Sequence, residues 1–314
     1  MPAVRTRWRL AAALLAAALT LSACGGGGSS APAPVTYVPS GPGSPTAVNN
    51  TATDGFAWIN YRRGQAGLPQ LARNALLDKA AQAHSEYLRA NNVVQHEETP
   101  GKTGYTGATL TDRINAANYT LSNYAVGEVI SATSSNSGFY MAEELITAIY
   151  HRFVMFEPKF KEIGTGAATN GSGYSYFTAD FAANNGYGDG LGLTGLVTWP
   201  FNGQTGVPAN FLSNYESPDP VPNLNEVGYP ISVHADLNVE LKVTSFTVRQ
   251  RGASTDLPVR LLTHAADEET PEHAAAIIPL AALKSGTTYD VTFSGATGES
   301  GNVPVTRTWS FTTR

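Results

Sequence analysis

The sequence predicts an α+β domain followed by a small all-β sandwich. Three observations carry this. Between residues 53 and 153, four stretches place apolar residues at helical spacing. Over residues 161–183 the pattern becomes that of short strands, with Gly171-Ser172-Gly173 between two of them. From Gly228 onward the chain is a series of short alternating or β-branched runs.

The first 50 residues stand apart from any fold. "MPAVRTRWRL" supplies three arginines, and "AAALLAAALTL" is an apolar run too short to span a bilayer comfortably. Together they read as a signal peptide over residues 1–23. Cys24, the only cysteine, ends Leu21-Ser22-Ala23-Cys24. This tetrapeptide resembles the bacterial lipobox, and the resemblance implies a thioether-linked lipid on Cys24. A buried structural cysteine does not suit the "GGGGSS" that follows. Residues 24–50 are rich in Gly, Ser, Pro and Ala and read as a disordered tether. With one cysteine, the chain forms no disulfide within itself.

The composition of the whole 314-residue chain narrows its class. Hydrophobic residues make up 42%, enough for one or two cores. Charged residues make up only 14%, with a net charge of −5 and no basic run beyond the first ten residues. Nucleic acid is therefore not an expected partner.

The helices follow in order. Thr53 or Asp54 is placed to cap a first helix, stopped by Gly64 and Gly67. Asn74 precedes "ALLDKAAQAHSEYLRANN", in which Leu77, Ala81, His84 and Leu88 share one face. His84 lies in that apolar stripe and reads as a core or boundary residue bonded to backbone. Thr111 is placed to cap a short third helix in "TLTDRINAANY". A fourth, opened by Ser137 or Gly138, runs through "FYMAEELITAIYHRF" and ends before Pro158. "KEIGTGAATN" and "YSYFTADFA" are the two strands. Gly164 and Gly166 read as strand glycines that allow close packing, not as a phosphate loop. This first domain is placed at residues 51–185. Residues 186–227, rich in Pro and Gly, read as a linker or as a strap packed through Trp199, Phe201 and Phe211. Five strands are expected within 228–314, in "YPISVHA", "LKVTSFTVRQ", "LPVRLLTH", "TTYDVTFSG" and "TRTWSFTTR".

Four segments in order resemble the CAP superfamily of cysteine-rich secretory and pathogenesis-related proteins, in its bacterial secreted form. They are "FAWINYRRGQAGLPQL", "AAQAHSEYLRANN" with the later His96, "YAVGEVIS" with Glu128, and "AIYHRFVMFEPKFKEIGTGAA" with His151. The resemblance covers about residues 54–183. It implies an α-β-α sandwich whose cavity gathers His96, Glu128 and His151; Arg152, by its position, reads as a supporting residue that pairs with an acidic group or caps carbonyls at the helix end. Two positions depart from the family pattern. Val129 replaces the asparagine after the glutamate, and Lys102 stands where a second glutamate is common. Glu97 and Glu98 remain alternatives for that carboxylate. "LKSGTTYDVTFSG" followed by "WSFTT" resembles a bacterial Ig-like domain, which implies reach or spacing rather than chemistry.

Two imidazoles and a carboxylate can ligate zinc or another divalent metal if they converge, leaving a position for water. The same residues can equally form a buried polar network. No compact metal motif, nucleophile elbow or cysteine-protease signature is present. His234, His264 and His273 show no ligand spacing and read as surface residues. The expected role is a lipid-anchored, extracytoplasmic binding or interaction module of a bacterial envelope, at an outer membrane or cell surface. Its ligand would be cell-wall material, lipid or protein, and its membrane contact the lipid on Cys24. The alternative is a divalent-metal-dependent hydrolase using the same cavity.

Overall fold

The computed structural model describes residues 41–314. The signal peptide, Cys24 and the tether up to residue 40 lie outside the described residues. The helical domain begins with α1 (Thr51–Ala66), capped by Asn50 rather than Thr53 or Asp54 and ended by Gly67 in the left-handed region. After β1 (Ala72–Arg73), Asn74 caps α2 (Ala75–Asn91) through bonds to the amides of Leu76 and Leu77. Helix α3 (Leu110–Ala116) opens on a Thr109–Asp112 capping box, two residues earlier than Thr111. Then come β2 (Ala125–Thr133), α4 (Gly138–Thr147) capped by Ser137, α5 (Ile149–Met155), β3 (Glu162–Thr169) and β4 (Ser175–Ala183).

The single fourth helix expected from the periodicity is two helices. Ala148 takes an extended conformation between them, and α5 starts afresh. Its first amides, those of Ile149, Tyr150 and His151, donate to the Glu216 carboxylate. A partner from far along the chain thus satisfies the donors that a continuous helix would have used internally.

One sheet, in the order β1-β3-β4-β2, forms the middle layer. Side chains alternate across it. Val129, Phe177, Ala179 and Phe181 face the core shared with α1 and α4. Ile130, Tyr176 and Ala182 face α2 and α3. The arrangement is an α-β-α sandwich. Arg62 of α1 fastens α4 through two 2.8 Å bonds to Glu143.

The C-terminal unit is all-β. Its strands are β5 (Val197–Trp199), β6 (Gln204–Val207), β7 (Asn210–Leu212), β8 (Glu226–Gly228), β9 (Ile231–His234), β10 (Lys242–Gln250), β11 (Val259–Thr263), β12 (Ala274–Pro279), β13 (Thr288–Thr297) and β14 (Val303–Thr313). Two four-stranded sheets form, β10-β13-β14-β6 and β11-β12-β9-β5. All five expected strands are present. The sheets also draw β5 and β6 from the segment 186–227, which is therefore more than a linker. Trp199, at the end of β5, packs edge-on against Phe156 with ring centroids 5.1 Å apart. His234 is buried, not at the surface, because β9 lies between β12 and β5 and its ring packs against Phe153 and Phe156. Over the described residues, helical domain and sandwich belong to one compact unit.

Candidate functional site

The site is built on the face of the sheet that meets α2. Glu128 on β2 lies opposite Asp180 on β4, which in turn lies opposite Gly164 on β3. The row therefore sets two carboxyl groups side by side on the sheet face that α2 covers, where Gly164 lets the α2 backbone come close.

Glu128 has a side chain 2% exposed and is bonded at both oxygens. Arg113 of α3 donates from Nη2 to Oε2 at 2.6 Å. His96, in the connection between α2 and α3, places Nδ1 2.9 Å from Oε1. Burial opposes the Glu128 charge, but Arg113 and the histidines outweigh it and hold its pKa down at about 2. Arg113 also donates from Nη1 to the His96 carbonyl at 2.7 Å, so one guanidinium fixes both the carboxylate and the loop that carries its histidine.

His84, on the inner face of α2, extends the network. Its Nδ1 lies 2.9 Å from Glu98 Oε1 and its Nε2 lies 3.0 Å from the Gln95 carbonyl. Both ring nitrogens thus face oxygens, one of a carboxylate and one of a backbone carbonyl. Glu98 also accepts from the amides of Thr106 and Gly107. Burial pushes the Glu98 pKa up, but the bonds from His84 and Thr106 and the nearby positive charges bring it below the usual range. Glu98 is therefore the second buried carboxylate beside the histidines, and Glu97 is not part of the set.

Asp180 is the anomaly. It is fully buried, and neither carboxyl oxygen receives a hydrogen bond. Burial and the neighbouring Glu128 charge push its pKa well above 3.8, which favours the protonated carboxyl. The native state thus binds a proton that the unfolded chain releases. Stability from this group is full below about pH 3.8 and falls as pH rises toward its folded pKa. Asp180→Asn keeps the shape and a donor without the titration. Denaturant melts between about pH 4 and 8 should show the variant gaining on the wild type as pH rises. Parallel profiles would mean that Asp180 is ionised in the fold.

The edge of the His96 ring is the open part of this network, with its side chain 40% exposed. Burial lowers the His96 pKa, yet the bond to Glu128 and its charge reverse that and leave it raised.

His151 is not part of this group. It lies in the first turn of α5, not near a helix C-terminus as the continuous periodicity suggested. Its Nδ1 pairs with Glu216 Oε1 at 3.0 Å, and its side chain is 21% exposed. Arg152 beside it is buried and donates to the carbonyls of Ile146 and Thr147, where α4 ends, and to Pro230 of the sandwich. The structure therefore joins His96 to Glu128 and gives His151 another carboxylate. Among the described residues, no group of three His, Cys, Asp or Glu side chains is placed to hold a metal ion. With Glu128 taken at both oxygens and His151 held by Glu216, the expected donors do not fit a zinc ion.

Arg113 and Asp180 were missed in the sequence, though each leaves a trace. Arg113 interrupts the apolar stripe Leu110, Ile114, Ala117, and Asp180 sits mid-strand between Ala179 and Phe181.

Comparison with known proteins agrees with this domain. Residues 56–181 match the family described as "CAP: Cysteine-rich secretory protein family". The chain thus carries a CAP domain over those residues. An extracellular protein containing an SCP domain from Bacillus anthracis is 24% identical, over 42% of this chain and 40% of that one, with a TM-score of 0.36. An outer surface protein from Borrelia burgdorferi is 15% identical, over 41% of this chain and 90% of that one, with a TM-score of 0.35. A cysteine-rich secretory protein from Staphylococcus aureus is 16% identical, over 42% of this chain and 38% of that one, with a TM-score of 0.31. This chain thus spans about two fifths of the Bacillus protein. No curated protein sequence matches.

Proposed function

We propose that this protein is a lipid-anchored binding module of the bacterial cell envelope. Its CAP domain takes the ligand, and its Ig-like sandwich serves as spacer or adhesion surface. The observation that carries the reading is that the two carboxylates beside the histidines, Glu128 and Glu98, are both taken by internal partners. Glu128 is spent on Arg113 and His96, Glu98 on His84 and two amides, and only the His96 edge meets solvent. Such a network fixes a shape and presents one polar edge for recognition. The lipobox-like Cys24 supports the anchor. Among the described residues no helix is long and apolar enough to cross a membrane.

Two experiments test this. The wild type should fractionate with membranes, and Cys24→Ser should not; membrane retention by the variant would remove the anchor. The purified chain should sediment with cell-wall sacculi or envelope-lipid vesicles, lose that binding on His96→Ala, and release no product. Zinc should leave its melting curve unchanged. Turnover that disappears in His96→Ala, or a zinc-dependent stabilisation that fades as pH falls through about 6.5, would favour the hydrolase alternative.

A further inference from the structure

We propose that residues 210–228 form a flap that Glu216 latches onto the His151 helix, so that the C-terminal unit controls the exposure of His151. The flap is a hairpin of its own. Strands β7 and β8 pair with each other and with neither sandwich sheet. Its further backbone bonds are mostly internal, as in the Ser213 amide to the Asn225 carbonyl at 2.8 Å and the Leu224 amide to the Val221 carbonyl at 3.1 Å. An isolated two-stranded hairpin is marginal in water, so this one depends on what it is closed against.

It is closed against α5 in two ways. Phe211, Val221 and Val227 of the flap pack with Ile149 and Phe153 of α5 and with Leu262, Ala276 and Ile278 of the sandwich. Glu216 then supplies the polar fastening. Its carboxylate accepts from the amides of Ile149 at 2.8 Å, Tyr150 at 2.7 Å and His151 at 3.3 Å, and from His151 Nδ1 at 3.0 Å. The Glu216 side chain is completely buried, while Tyr215 beside it is 82% exposed. One inward carboxylate thus holds a segment whose adjacent ring stands in solvent.

The pairing also fixes the chemistry of His151. Because Nδ1 faces a carboxylate, it donates to Glu216, and this bond sets the orientation of the ring. With the flap open, the ring loses that orientation and α5 loses the acceptor for its first turn. This arrangement gives the C-terminal unit a direct hold on the face of the CAP domain where His151 lies. It concerns His151 and not a ligand, so its failure would leave the binding-module reading standing.

Amide exchange on the full chain, read by mass spectrometry without ligand, tests the latch. Glu216→Ala should speed exchange at least tenfold in two segments, 149–155 and 210–228. The sheet strands 162–183 should keep wild-type protection. Glu216→Gln keeps an acceptor oxygen without the charge and should fall between. It carries the test if the alanine variant does not fold. Unchanged exchange in the two segments would overturn the latch. So would an equal loss of protection in the sheet strands, since that marks global destabilisation instead of local opening.

Discussion

Arg113→Ala is expected to lower unfolding stability by about 3–5 kcal/mol in denaturant melts, because it strips the partner from a buried carboxylate. Arg113 is wholly buried and makes the 2.6 Å bond to Glu128 and the 2.7 Å bond to the His96 carbonyl. Without it, the remaining Glu128 charge faces a protonated Asp180 and a partly exposed histidine. The Glu128 pKa should climb from about 2, so the loss should be smaller in acid, where protonation relieves the uncompensated charge. Lysine should not rescue it, since a single ammonium does not reproduce the planar fork that reaches both acceptors. Adding Glu128→Gln to Arg113→Ala should recover part of the loss, because the stranded charge goes with it. A cost below about 1 kcal/mol for the single variant would place the pair in solvent rather than in the core.

The same cluster shows where the sequence was readable. His96 and Glu128 were reached through an ordered set of motifs, and the fold brings them into contact. Helices α2 and α4 were readable because each has an apolar face and a capping residue close in sequence, while at α1 and α3 the cap lies a few residues earlier than expected. Sandwich strands such as β10 and β13 announced themselves by alternation, as Phe246 and Val248 or Val291 and Phe293 show. Strand β12 did not, because Ala274-Ala275-Ala276 carries no strand preference of its own and is buried on both faces. Strands β5 and β6 were hidden by flanking prolines and glycines. The break at Ala148 and the partner of His151 were unreadable for one common reason. Their cause is Glu216, more than sixty residues later, and nothing in the local pattern of α4 and α5 points to it. Periodicity reports a helix face; it does not report which distant carboxylate will claim the helix's amides.

Gly166→Ala should destabilise the chain by about 1–3 kcal/mol or more, although alanine in a strand would ordinarily be favoured over glycine. The two terms oppose each other, and the geometry decides between them. A Cβ on Gly166 would stand 2.2 Å from the Gln82 amide nitrogen and 2.3 Å from its Cα; one on Gly164 would stand 2.1 Å from the Leu77 carbonyl carbon. These are backbone atoms of α2, and no rotamer change moves them aside. The helix has to lift from the sheet, and the loss of close packing exceeds the roughly 0.4–1 kcal/mol gained by restricting the unfolded chain. Lifting α2 also carries His84 away from Glu98 and the sheet away from Leu77 and Ala81, so the His84 bond at 2.9 Å should weaken with it. Gly164→Ala should behave similarly. The double variant should cost less than the sum of the two, because one displacement of the helix makes room for both methyl groups. Chemical denaturation of the three variants gives these values directly. A stabilised Gly166→Ala would show that α2 sits farther from β3 than these contacts require, and the polar network beneath it would then have room for water.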